Sequence, residues 1–191
     1  MSKRLQGKVR IIGGKWRGRG LVFPEVSNLR PTGNRVRETV FNWLMPYIVG
    51  ANCLDLFAGS GAFGFEALSR GATHVTFIDH SDQIINALRK NAAILKAINV
   101  EFIRNACLFD FPLLKKNISF DIIFLDPPFR QGFIRKAGEW LEKIQIMSDH
   151  AFIYVEVEKD LKPLPVPENW TIYRRRATGA LSYNLFLRRS L

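Results

Sequence analysis

Residues 55–64 read Asp55-Leu-Phe-Ala-Gly-Ser-Gly-Ala-Phe-Gly64. The apolar pair Cys53-Leu54 precedes them, and Phe65-Glu-Ala-Leu68, a helical segment, follows. A strand that turns through glycines into a helix lets backbone N–H groups approach a ligand closely. It also aims the positive end of the helix dipole at that ligand. The spacing Gly59-x-Gly61-x-x-Gly64 satisfies the dinucleotide fingerprint, so a nucleotide-like cofactor is expected here.

Downstream, apolar strands alternate with helical patterns. His74-Val-Thr-Phe-Ile-Asp79 reads as a second strand ending in a carboxylate, with Ser81 capping a helix whose stripe is Ile84, Ile85, Leu88, Ala92 and Leu95. Val100-Glu-Phe-Ile103 is a third strand, and Asp121-Ile-Ile-Phe-Leu125 a fourth, apolar enough to be buried on both faces. Residues 133–146 read as helix and Ala151-Phe-Ile-Tyr-Val-Glu-Val157 as a fifth strand. Residues 170–176 and 181–188 form a closing hairpin around Thr178-Gly179. This alternation predicts an α/β fold, a Rossmann-like, doubly wound, mostly parallel sheet.

Upstream, residues 1–37 hold ten Lys/Arg against one acid, Glu25. Val9-Arg-Ile-Ile12 and Gly20-Leu-Val-Phe23 flank Gly13-Gly14-Lys-Trp-Arg-Gly18, which predicts a β-hairpin. The expected organisation is a basic hairpin arm over residues 1–30 and a cofactor-binding domain over 31–191. A helix from Asn34 to about Met45 carries Val36, Val40, Phe41 and Leu44 on one face, capped by Thr32 or Asn34, with Arg35 and Arg37 off the stripe and free to face a partner. Trp16 between Lys15 and Arg17 suits stacking on bases beside phosphate contacts. The competing reading packs Trp16 on the main body.

The 191 residues carry a formal net charge of +11 and a pI near 10.1, which predicts attraction to polyanions. With 47% hydrophobic and 24% charged residues the composition is that of a globular protein. Cys53 and Cys107, both in apolar or strand-like context, argue for a reducing compartment. No apolar run approaches membrane-spanning length and the first residues lack a signal-peptide core, so a cytoplasmic protein is expected. His74, His80 and His150 are scattered, and no metal site is expected.

Polar clusters fall at four successive strand ends: Asp55 to Gly61, Asp79, Asn105-Ala106, and Asp126-Pro-Pro-Phe129. Ligands of such sheets bind at those ends. Asp79 stands where a carboxylate would accept both ribose hydroxyls of an adenosine, and Asn105, with the backbone of Ala106, could meet an adenine edge. Pro127 and Pro128 cannot donate ladder hydrogen bonds, so their carbonyls stay available on a stiff backbone. With the Asp126 carboxylate they can accept both protons of an exocyclic NH2 group, while Phe129 stacks on the base that carries it. Such an amine is a poor nucleophile because its lone pair is delocalised into the ring. Acceptors that hold its protons out of plane favour a tetrahedral nitrogen aligned with an electrophilic methyl.

These residues resemble a class I S-adenosylmethionine-dependent methyltransferase: Asp55 to Gly61 the family's first motif, Asp126 to Phe129 its amino-methylating tetrapeptide. Arg10-Ile-Ile-Gly-Gly-Lys-Trp-Arg-Gly18, Arg30-Pro-Thr32, Arg37-Glu-Thr-Val-Phe-Asn-Trp-Leu44 and Asp126-Pro-Pro-Phe-Arg130 narrow the resemblance to the bacterial 16S rRNA guanine-N2 methyltransferases of the RsmD family. The resemblance implies methyl transfer from S-adenosylmethionine to one guanine N2, in 16S rRNA already bound by ribosomal proteins in the small subunit, by a monomer. It assigns Asp55, Gly59 and Gly61 to the methionine part of the cofactor, with Phe57 and Ala58 also among the cofactor-binding residues. Asp79, where many relatives carry Glu, goes to the ribose, and Asn105-Ala106 to the adenine. Asp126, Pro127, Pro128 and Phe129 receive the target base. The expected RNA contacts are Arg10, Lys15, Trp16, Arg17, Arg19, Arg30, Thr32, Arg35 and Arg37.

Three other readings compete: an NAD-dependent oxidoreductase, a non-catalytic ribosome-assembly protein, and methylation of another base amine such as adenine N6. The first leaves Asp126-Pro-Pro-Phe129 and the basic arm without a role. The second has no need of both the tetrapeptide and the glycine loop.

Overall fold

The computed structural model describes residues 6–24, 32–105 and 118–189. Arg30, Ala106 and Cys107 lie outside these residues, and with them the parts assigned to Arg30 and Ala106. A two-stranded antiparallel hairpin, β1 (Gln6–Arg10) and β2 (Gly20–Pro24), precedes α1 (Asn34–Leu44). The remainder alternates: β3 (Asn52–Asp55), α2 (Ala62–Ser69), β4 (His74–Asp79), α3 (Asp82–Leu95), β5 (Val100–Arg104), β6 (Phe120–Leu125), α4 (Phe133–Ile144), β7 (Met147–Glu158), β8 (Trp170–Thr178) and β9 (Leu181–Arg188).

The seven-stranded sheet runs β5-β4-β3-β6-β7-β9-β8. Its first five strands are parallel; β9 and β8 close it antiparallel. The chain winds outward from β3 to β5, then restarts beside β3 with β6. The carboxyl ends of β3 and β6 therefore flank the point where strand order reverses, which opens a crevice for a ligand. This is the expected doubly wound, mostly parallel sheet.

Burial follows the apolar periodicities. Leu54, Ile122, Ile123, Phe124 and Leu125 are fully buried, as strands covered on both faces must be. One face carries α1, α2, α3 and the hairpin; the other carries α4 through Ile134, Trp140 and Leu141. Val9, Ile11, Leu21 and Phe23 of the hairpin sit in the same cluster as Phe41, Phe65 and Phe77. The side chain of Asn91 in α3 accepts from Val22 N–H at 3.1 Å and donates to Val22 C=O at 2.9 Å, so an amide takes the place of a third strand.

Three expectations at element ends are corrected. The helix after residue 133 stops at Ile144 because Gln145 turns left-handed, with φ +53°. β7 then begins at Met147, four residues before the expected Ala151, since Met147 pairs with Phe120 across a bulge. Neither Thr32 nor Asn34 caps α1; Gly33 occupies that position, and the two polar side chains are used elsewhere. Ser81 does cap α3, its Oγ accepting from Ile84 N–H at 3.4 Å.

Candidate active site

Asp55, Asp79, Asn105 and Asp126 come together at the carboxyl edge of the sheet, at or just past the ends of β3, β4, β5 and β6. Between them the glycine turn takes a left-handed path, with φ +49° at Gly59 and +74° at Gly61. A non-glycine residue adopts these angles only at a cost. Gly61 is the N-cap of α2 and donates to Ala58 C=O at 2.7 Å. Gly64 serves packing: a Cβ there would lie 2.2 Å from the Phe77 ring, so helix and strand touch only because it has none.

The carboxylates of Asp55 and Asp79 shape the turn. Asp55 Oδ2 accepts from Gly64 N–H at 3.0 Å, and burial pushes its pKa well above the ordinary range, reinforced by Asp126 and Asp79 and opposed by that hydrogen bond. Asp79 accepts from Gly59 N–H at 3.0 Å through Oδ2 and from Ser81 N–H at 2.9 Å through Oδ1. A carboxylate offers about four lone-pair sites, so these two bonds leave acceptor capacity on Asp79, with His80 Nδ1 3.4 Å from Oδ1. Asn105 is buried, and its N–H donates to Asp79 C=O at 3.0 Å. Phe57 lies half-buried, its ring centroid 5.8 Å from Phe133. Glycine backbone and acidic acceptors on adjacent strand ends suit a nucleoside cofactor.

Asp126 is held at the end of β6 by Thr32, whose hydroxyl donates to Oδ2 at 2.6 Å. Glu156 of β7 stands beside it, 4% exposed, accepting from Tyr154 O–H at 2.6 Å. Burial and then the Glu156 charge push Asp126 up to about 7, while the Thr32 hydrogen bond pulls it down. Burial likewise raises Glu156, against hydrogen bonds from Tyr154 and Thr32. A cavity of about 180 Å³ opens next to this pair, lined among others by Pro127, Pro128, Phe129, Phe133 and Glu156. Phe129 is 40% exposed and forms one wall. A larger groove, about 490 Å³, lies at the opposite, amino edge of the sheet among Tyr47, Asp121, His150 and Phe152, away from all these residues.

Arg37 requires correction: it is fully buried and cannot meet RNA. Its Nη1 lies 3.5 Å from Glu66 Oε2, and its Nη2 donates to Arg10 C=O at 2.9 Å and Asn34 Oδ1 at 2.7 Å. The helical stripe was wider than the four apolar positions suggested, and the carboxylate of α2 draws Arg37 inward. Thr32 is buried as well and turns toward Asp126 instead of outward. Arg10, Lys15, Arg17, Arg19 and Arg35 are exposed. Trp16 is half-buried, its N–H donating to Ser69 Oγ at 2.9 Å, while Arg19 reaches Ile94 C=O at 3.4 Å. Ser69 and Ile94 lie at the carboxyl ends of α2 and α3. Those helices run back from the strand ends, so the hairpin tip, residues 14–19, lies toward the amino edge of the sheet, away from Asp126.

A family model described as conserved hypothetical protein 95 matches residues 9–187. The chain belongs to this family, the RsmD family. The protein named ribosomal RNA small subunit methyltransferase D of Haemophilus influenzae is 48% identical over 183 residues, covering 95% of this chain and 94% of that one. Its namesake from Escherichia coli K12 is 47% identical, covering 95% and 91%. The solved structure of yhhF from Escherichia coli aligns with a TM-score of 0.83 at 46% identity, over 97% of this chain and all of that chain.

In this RsmD-family chain the sequence reading missed Glu66 and Glu156. Glu66 accepts from Ile12 N–H at 2.7 Å and Gly13 N–H at 2.8 Å and pairs with Arg37 and, at 2.7 Å, Arg70. One carboxylate thus ties hairpin, α1 and α2 together. Both residues carried a usable signal, since each is an acid inside an otherwise apolar run, Phe65 to Leu68 and Ala151 to Val157. An acid in such a place needs a partner.

Proposed function

We propose that this protein transfers a methyl group from S-adenosylmethionine to the exocyclic N2 of a guanine in the 16S rRNA of the small ribosomal subunit. Family membership and the names of its relatives support rRNA methylation; the observation that carries the chemistry is Asp126, fixed by Thr32 beside a cavity of about 180 Å³ lined by Pro127, Pro128 and Phe129.

S-adenosylmethionine would supply an electrophilic methyl group, and Asp55, Phe57, Ala58, Gly59, Gly61, Asp79, Asn105 and Ala106 would hold it. Asp126 and the Pro127 carbonyl accept the two N2 protons, and Phe129 stacks on the base. The nitrogen lone pair is thereby taken out of conjugation and made available to an electrophilic methyl group. Transfer would break the methyl–sulfur bond of the sulfonium as the N–C bond forms, leaving S-adenosylhomocysteine and a cationic nitrogen that must release one proton. A carboxylate with a proton affinity near neutrality is suited to hold the N–H beforehand and take that proton afterwards. The protein acts as a monomer in the cytoplasm, on a particle that ribosomal proteins have already shaped.

The test incubates the protein with labelled S-adenosylmethionine and unmodified small subunits, naked 16S rRNA or DNA, followed by nucleoside analysis. Label in N2-methylguanosine from subunits is expected. Label in N6-methyladenosine would overturn the base assignment. No label, from protein that binds the cofactor, would overturn catalysis.

A further inference from the structure

Strand β8 forms one edge of the sheet and carries Arg174, Arg175 and Arg176 in succession, all exposed. Their place is fixed by register. Arg176 pairs with Tyr183 of β9, and Tyr183 with Glu156 of β7. One residue earlier, Arg175 pairs with Asn184, Asn184 with Val155, and Val155 with Leu125 of β6, the residue before Asp126. Arg176 therefore lies level with Asp126 and Glu156, two strand spacings, roughly 10 Å, from Glu156. The three arginines stand at the carboxyl edge of the sheet, where the hairpin tip does not.

The bulge at Tyr173 separates this basic run from the aromatic cluster of Tyr47 and Phe152. Arg174 stacks on the Tyr173 ring, 4.4 Å from its centroid, and Arg175 Nε donates to Ser182 Oγ at 3.3 Å. Neither contact neutralises charge, and among the described residues none of the three forms an ion pair. Alternation puts Arg174 and Arg176 on the face covered by α1, whose first turn bears exposed Arg35. Guanidinium groups with unpaired donors bind phosphate in fork geometry.

We propose that β8 is a phosphate-binding rail that holds the RNA backbone flanking the target nucleotide, with Arg174, Arg175 and Arg176 as its contacts. The inference rests on the proposed RNA substrate and adds where that RNA runs: from the tetrapeptide across β7 and β9 to the sheet edge. The competing role for charge on an edge strand is to repel another strand.

The test is the variant Arg174→Gln/Arg175→Gln/Arg176→Gln beside the corresponding all-Lys variant, with unmodified small subunits as substrate. Methyl transfer and subunit affinity are read across 50–200 mM salt. The Gln variant is expected to raise KM at least about tenfold with kcat little changed. Each lost contact should reduce the slope of log affinity against log salt by roughly 0.7 to 0.9. The Lys variant, which keeps the charge, is expected to retain most of the affinity. A wild-type KM and slope in the Gln variant would overturn the rail, and self-association of that variant alone would assign the arginines to edge protection. A wild-type protein that neither binds nor methylates the subunit would instead overturn the RNA substrate itself.

Discussion

The Thr32 hydroxyl and the Asp126 carboxylate, 94 residues apart in sequence, are joined by a 2.6 Å hydrogen bond that spans from the entrance of α1 to the end of β6. The bond fixes the carboxylate rotamer and favours its charged form, offsetting part of the upward push from burial and Glu156. Thr32→Val keeps the shape and removes the donor. The acid limb of the methyl-transfer pH profile, expected near 7 in the native protein, should move to higher pH, and kcat at pH 7 should fall. An unshifted limb with reduced kcat would make Thr32 a positioning group with no electrostatic share.

Asp126 also makes stability depend on pH. Its folded pKa, about 7, lies above the unfolded value, so the folded state binds the proton more tightly. That contribution is complete below the unfolded pKa, near 4, and is lost as pH rises through about 7. Asp126→Asn does not titrate there. It should therefore raise Tm at pH 8 relative to native protein, with the gain shrinking toward pH 5, while methyl transfer collapses and cofactor affinity stays near native. Thermal unfolding at both pH values, with cofactor titration, checks this.

Much of this was legible because the signals are local. Alternating apolar strands and helices give the parallel sheet, and Gly59, Gly61, Asp79 and Asp126 each stand at a strand end that periodicity alone locates. Arg37 was not legible: an arginine two positions from Arg35 looks equally solvated until Glu66, 29 residues later, is known to face it. The bond of Thr32 to Asp126, and Glu156 altogether, were missed for the same reason, since each meets Asp126 from a segment far away in the sequence. The arginines of β8 were visible as a run, but their level with Asp126 exists only in the β7–β9–β8 register.

Gly64 separates backbone conformation from packing. It is helical, yet a Cβ would meet Phe77 at 2.2 Å. Gly64→Ala should therefore destabilise by overpacking, about 1–3 kcal/mol. Phe77→Leu in the same chain should recover part of the loss by vacating the contact. Chemical denaturation of the single and double variants measures the coupling; strict additivity would place the strain elsewhere.

Glu66 is where the hairpin's attachment can be broken without touching the hairpin. Its two oxygens take the N–H groups of Ile12 and Gly13 and face Arg37 and Arg70. Arg37 is wholly buried, with its Nε unpartnered, so Glu66 supplies its counter-charge. Removing one member of a buried pair costs roughly 3–5 kcal/mol because the other charge is left in low dielectric. Glu66→Ala should destabilise by about that amount, and it should speed amide exchange at Ile12 and Gly13 first. The double variant Glu66→Ala/Arg37→Met should recover much of the stability, since no orphaned charge remains, yet leave those two amides fast. Fast exchange in Glu66→Ala with unchanged global stability would mean that Arg37 finds water, and that the carboxylate anchors only the hairpin.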